Sequence, residues 1–214
     1  MAASTPPSPP DVARPLYRAI DWSRCIIGGS YALQQYLGDT HWQPNDIDIP
    51  CAVDSHEDFV KLIETYRVKQ ELEPGTKVTL NSMIVSTNAG RGGSSSSEGF
   101  DPSVTSTANL TMVKDGVQFP LPIQFVGVKD PRYPWWFRLF HLFSKEPSQR
   151  DKLVEHYSRI ADMPACVAYV ATPARTWFVP DFAKSALKTR TIRKHTISAD
   201  RREKYAARGF TFVE

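Results

Sequence analysis

Two rhythms of apolar residues alternate along the first half of the chain. Residues 16–22 (LYRAIDW) predict a short helix, and 24–27 (RCII) a buried strand that stops at Gly28-Gly29. Ser30 then opens a helix through SYALQQYLG, with Gly38 as its C-cap. The segment 46–53, DIDIPCAV, alternates acid with isoleucine and predicts a strand. After Ser55, apolar residues at 59, 60, 62, 63 and 66 fall at helical spacing.

The rhythm then turns to strands. Residues 76–87 mix β-branched and polar side chains, and 105–115 and 117–129 predict two more strands. Asp115-Gly116 between them is a hairpin signal. The Gly- and Ser-rich stretch 88–102 reads as a flexible loop. Helices are expected after Pro134 to about 147 and over 149–163, then extended chain over 165–180. This order predicts an α+β (α/β) fold, a mixed β-sheet flanked by helices over 16–130. A disordered leader, 1–15, would precede it, and a helical, basic extension, 131–214, would pack on it.

Composition changes this picture little. The chain has 214 residues, 41% hydrophobic and 23% charged, as in ordinary globular domains. A net charge of +3 does not by itself demand a polyanionic partner. The cysteines, Cys25, Cys51 and Cys166, are too sparse for a disulfide framework or a zinc knuckle. They read as small buried side chains in a reducing compartment, so an intracellular location, cytoplasm or nucleus, is expected. The leader lacks the apolar core of a secretion signal, and no apolar run is long enough to span a bilayer, so no membrane partner is expected.

Candidate chemistry sits at residues 28–48. Residues two apart in a strand share a face, so Asp46 and Asp48 stand together while Ile47 and Ile49 face the core. Their Cα atoms lie about 7 Å apart, close enough for the carboxylates to repel. A divalent cation, Mg²⁺ or Mn²⁺, removes that repulsion and brings phosphate oxygens with it. Gly28, Gly29 and Ser30 supply a strand-to-helix turn with backbone N–H groups pointing outward, a site for a phosphate.

A Gly-Gly-Ser turn, a helix, then acid-apolar-acid on the next strand resembles the signature of the DNA polymerase beta-like nucleotidyltransferase superfamily. The resemblance is strongest over residues 24–54 and extends loosely to 129. It implies a nucleoside triphosphate substrate, two Mg²⁺ ions held by Asp46 and Asp48, and a triphosphate held by Gly29 and Ser30. The transferred group would be a nucleoside monophosphate and the acceptor a hydroxyl. Many members carry a third carboxylate on a later strand, and the matching position here is Gln124. Glutamine neither takes a proton nor ligates a metal as a carboxylate does. Either another acid serves, or no base is needed, or the protein binds nucleotide without efficient transfer.

The C-terminal charge is uneven. Lys184, Lys188, Arg190, Arg193, Lys194, Arg201, Arg202, Lys204 and Arg208 are opposed only by Asp200 and Glu203. The run is either a solvated helical face or a strip for RNA or DNA, with Arg193, Lys194, Arg201 and Arg202 the candidate contacts. Tyr205 and Phe210 would anchor it to the body of the protein.

Overall fold

The computed structural model describes residues 13–85, 104–129, 169–170, 177–179, 181–193 and 199–213, with Gln149 and Leu153. The leader before residue 13, the Gly- and Ser-rich loop, the helix expected after Pro134, most of that over 149–163, Cys166 and Lys194 lie outside the described residues.

The chain forms α1 (Ala13–Ala19), α2 (Gly29–Leu37), β1 (Ile47–Val53), α3 (His56–Glu71), β2 (Thr76–Val85), β3 (Val104–Lys114), β4 (Val117–Gln118) and β5 (Ile123–Lys129). Beyond these come β6 (Tyr169–Val170), β7 (Trp177–Phe178), α4 (Asp181–Thr189), β8 (Thr191–Arg193), α5 (Ala199–Ala207) and β9 (Thr211–Val213). The protein is α+β, with a mixed five-stranded sheet in the order β1-β5-β3-β2 and β4 alongside β3. β1 and β5 are parallel, and the other pairings are antiparallel.

Local chemistry explains most boundaries. Ser55 caps α3 by accepting the Asp58 N–H. Gly38 ends α2, its N–H bonded to the Gln34 carbonyl. Asp115 (φ 50°) and Gly116 (φ 80°) both take left-handed conformations, the two-residue hairpin geometry that matches strand twist, and Lys114 pairs with Val117 across it.

Three boundaries depart from the sequence pattern. α1 begins at Ala13, inside the expected leader, and ends at Ala19. The strand expected over 117–129 breaks into β4 and β5 at Phe119–Pro122, because Pro120 and Pro122 have no N–H to give a ladder. The strand expected over 24–27 is extended backbone laid antiparallel on β1. Ile26 N–H bonds to the Pro50 carbonyl (3.1 Å), and Ala52 N–H to the Arg24 carbonyl (2.9 Å). Arg24 and Cys25 turn their own N–H groups onto the Asp21 carbonyl, which ends the ladder there.

The two faces of the sheet differ. Ile47, Ile49, Leu110, Met112, Ile123 and Phe125 face α1 and α3, where Leu16, Phe59, Ile63 and Tyr66 close the core. Burying each large side chain is worth about 2 kcal/mol, which fixes the strand register. The opposite face carries the polar residues described below, next to a small apolar cluster of Ile26, Ala52, Val128 and Leu153.

The expected helical and basic C-terminal extension also contains short strands. β8 and β9 are parallel, joined by α5 as the crossover. Tyr205 and Phe210, the expected anchors, are buried with Leu187, Ile192 and Leu33 of α2, and their rings meet edge to face. Among the described residues no helix is long and apolar enough to cross a membrane.

Candidate functional site

The backbone path brings the glycine turn directly onto the acid pair. Gly28 N–H bonds to the Asp48 carbonyl at 3.0 Å, which holds the start of α2 against β1. Gly29 has φ 64°, and a Cβ placed on it would fall on Asp48 Oδ2 and lie 2.8 Å from Asp48 Cγ. Only glycine meets both demands, the left-handed backbone and the missing side chain. No side chain caps α2, whose N-cap is Gly28, and Ser30 is buried in its first turn. The positive end of the helix dipole therefore lies beside the Asp48 carboxylate.

Asp48 opens a line of polar side chains across the sheet. Gln124 on β5 is in register with Asp48, so the two share a face. Gln124 is in turn paired with Asn109 of β3, and Asn109 with Ser82 of β2. Gln124 Nε2 donates to Asn109 Oδ1 (3.0 Å), and Asn109 Nδ2 donates to Ser82 Oγ (2.9 Å). The Gln124 amide is thus oriented by its neighbour, and its oxygen is left for other donors.

The electrostatics of the acids are unusual. Burial pushes the Asp48 carboxyl up to about 7, and the charge of Asp46 adds to the effect, against the pull of Lys204 and Arg201. Burial also raises the Asp46 carboxyl, opposed by Lys204 and Arg208. Thus α5 and the turn after it lie within electrostatic reach of the pair. Positions 201, 204 and 208 fall on one helical stripe.

The candidate nucleic-acid contacts separate. Arg201 and Arg202 are exposed on α5, Arg201 acting on Asp48 while Arg202 lies over the Phe212 ring at 5.3 Å. Arg193 ends β8.

Other residues that matter here had no motif to mark them. Asp39, just past α2, forms an ion pair with Arg190 and accepts the Trp42 indole N–H at 2.8 Å. Arg190 has φ 52° and also donates to the Arg208 carbonyl at 3.0 Å. The Arg208 guanidinium lies over Trp42, 4.1 Å from the ring centroid, and over Tyr205 at 5.0 Å. Of these, Arg190 and Arg208 are marked in the sequence only as charges of the basic run.

The donor set suits a divalent cation only in part. Among the described residues no group of three His, Cys, Asp or Glu side chains could hold a metal. Two carboxylates with phosphate oxygens and water as further ligands is, however, the usual set for Mg²⁺. The Asp48 carboxyl, raised by burial and by the charge of Asp46, fits such an ion. No family model and no curated protein matches the chain.

Proposed function

We propose that the chain is a metal-dependent nucleotidyltransferase of the nucleotidyltransferase-like fold, with the corner of Gly28, Gly29, Ser30, Asp46 and Asp48 as its site. The observation that carries the reading is the contact between Gly29 and the Asp48 carboxylate. It supports the reading because a helix start suited to a phosphate and an acid pair suited to a divalent ion would then act side by side. A bound Mg²⁺ or Mn²⁺ would neutralise charge on the phosphates and on the leaving pyrophosphate. Asp46 and Asp48 would hold it, and the N–H groups at the start of α2 would orient the nucleoside triphosphate. An acceptor hydroxyl, on RNA, a protein or a small molecule, would form the new P–O bond as the bond to pyrophosphate breaks. Its proton would pass to solvent, because Gln124 cannot take it. The exposed Arg201 and Arg202 favour a phosphate-bearing acceptor such as RNA.

A second reading rests on Gln124. Its amide is hydrogen-bonded to Asn109 where a third carboxylate would act as base. That arrangement favours a module that binds nucleotide without transferring it. The test uses α-labelled nucleoside triphosphates with Mg²⁺ or Mn²⁺, with and without RNA. Label on an acceptor supports transfer. A metal-dependent rise in melting temperature without label supports binding alone. Neither label nor stabilisation rejects both.

A further inference from the structure

Arg208 is a buried cation whose side chain makes no ion pair with the described residues. It is 4% exposed, and its Nη1 is shielded from solvent without a hydrogen-bond partner. Stacking on Trp42 and Tyr205 holds the guanidinium plane but supplies no acceptor to Nη1. A buried charge without an acceptor is strongly disfavoured. Arg190, nearby, shows the alternative. It engages both carboxylate oxygens of Asp39 and the Arg208 carbonyl. The chain thus supplies a carboxylate to one arginine of this module and withholds it from the other.

We propose that Arg208 is the centre of an anion subsite on the face of Trp42, built to take a phosphate of a polyphosphate. The proposal rests on the nucleotide reading of the acid pair and adds what holds the far end of the ligand. A guanidinium fork matches two phosphate oxygens at once, and the aromatic rings beneath it fix the fork's orientation. Lys204, exposed one helical turn earlier, and Arg201, a further turn back, extend the positive stripe. Lys204 acts on both acids, with Arg208 on Asp46 and Arg201 on Asp48, so positive charge converges where a multiply charged triphosphate would lie.

The test uses inorganic tripolyphosphate as probe, the full chain, and chelator to remove divalent ions, with affinity measured by calorimetry. The wild type should bind without metal. Arg208→Gln should weaken binding by about tenfold or more, and Lys204→Gln by a few-fold. The Asp46→Asn/Asp48→Asn double variant should bind at least as tightly as wild type, because two repelling charges are gone. Equal affinity in wild type and folded Arg208→Gln overturns the subsite. Because a buried arginine can be needed for folding, the Arg208 Nε–H resonance is also followed by NMR in the wild type. It should shift on adding tripolyphosphate, and an unmoved resonance overturns the subsite without any variant. The acid-pair reading is tested separately by Mn²⁺-dependent nucleotide binding. Its failure, with tripolyphosphate still held at Arg208, would separate the two.

Discussion

Asp39 and Asp48 meet the same C-terminal segment and are treated in opposite ways. Burial raises the Asp39 carboxyl, but hydrogen bonds from Arg190 and Trp42, with the Arg190 charge, bring it below its ordinary value. Asp48 receives charge at a distance from Lys204 and Arg201 but no side-chain ion pair, and its carboxyl is pushed up to about 7. The difference separates an acid in contact with a cation from one that is not. Where the module is fastened beyond α2, Asp39 and Arg190 meet each other in a close ion pair. At the acid pair no described cation is in contact, the pattern on which the proposed site rests.

The largest effect that would break this comparison is in the pH dependence of stability. A carboxyl raised in the native state holds its proton more tightly there than in the unfolded chain. Its contribution is full below the unfolded value of about 4 and is lost as pH rises through about 7, on the order of 4 kcal/mol in all. Urea denaturation without metal should therefore show stability falling between pH 4 and 8. Asp48→Asn should be more stable than wild type at pH 8 yet lose metal-dependent stabilisation by nucleotide. A wild-type midpoint that does not fall over this range would refute the raised carboxyl.

Next in size is the fastening itself. Arg190→Ala leaves Asp39 buried without its cation and should cost about 3 kcal/mol. The sign is opposite to that of Asp48, for Asp39 stabilises above about pH 4 and loses that contribution as pH falls through its lowered folded value. Arg190→Ala should therefore flatten the acid limb alone. Amide exchange at Tyr205 and Phe210 should rise with it, and unchanged protection there would mean that the module is held by its apolar cluster.

Gln124→Asp sharpens the contrast at the other end. It places a carboxylate in register with Asp48 and removes the donor to Asn109 Oδ1. Stability without metal should fall by about 2 kcal/mol, while Mn²⁺ affinity rises. Any nucleotidyl transfer should increase, because a carboxylate can accept the hydroxyl proton. Unchanged Mn²⁺ affinity would place Gln124 outside the site. Smallest is Ser82→Ala at the far end of the polar line, expected to lose about 1 kcal/mol or less with nucleotide binding unaltered. A change in binding there would show that the amides act as one unit.

What the sequence revealed follows the range of its signals. The alternation of Asp46 to Ile49 and the Gly-Gly-Ser turn are local, and strand periodicity alone puts the acids on one face. The Gln124 position was legible because β5 alternates in the same way, although its exact register with Asp48 is a property of the sheet. The Asp39–Arg190 pair joins residues 151 positions apart and leaves no local trace. Cys25 and Cys51, which looked unrelated, lie opposite one another with Sγ atoms 2.9 Å apart because the segment 24–28 folds back along β1. Arg208 was visible only as one charge in a basic run, since burial on Trp42 is a tertiary event.

The crossover that carries α5 back to the acid pair also sets an order of assembly. Asp46 and Asp48 leave the ribosome long before Arg201, Lys204 and Arg208, an interval of roughly ten to thirty seconds at ordinary rates of synthesis. For about the first half of that time the acids have no β5 to pair with, and throughout it they have no cations of α5 facing them. Contacts this distant form late, after the entropy of closing long loops has been overcome. A growing chain therefore carries the glycine turn and both acids before it has the cations that face them, and the proposed polyphosphate subsite is complete only when α5 docks.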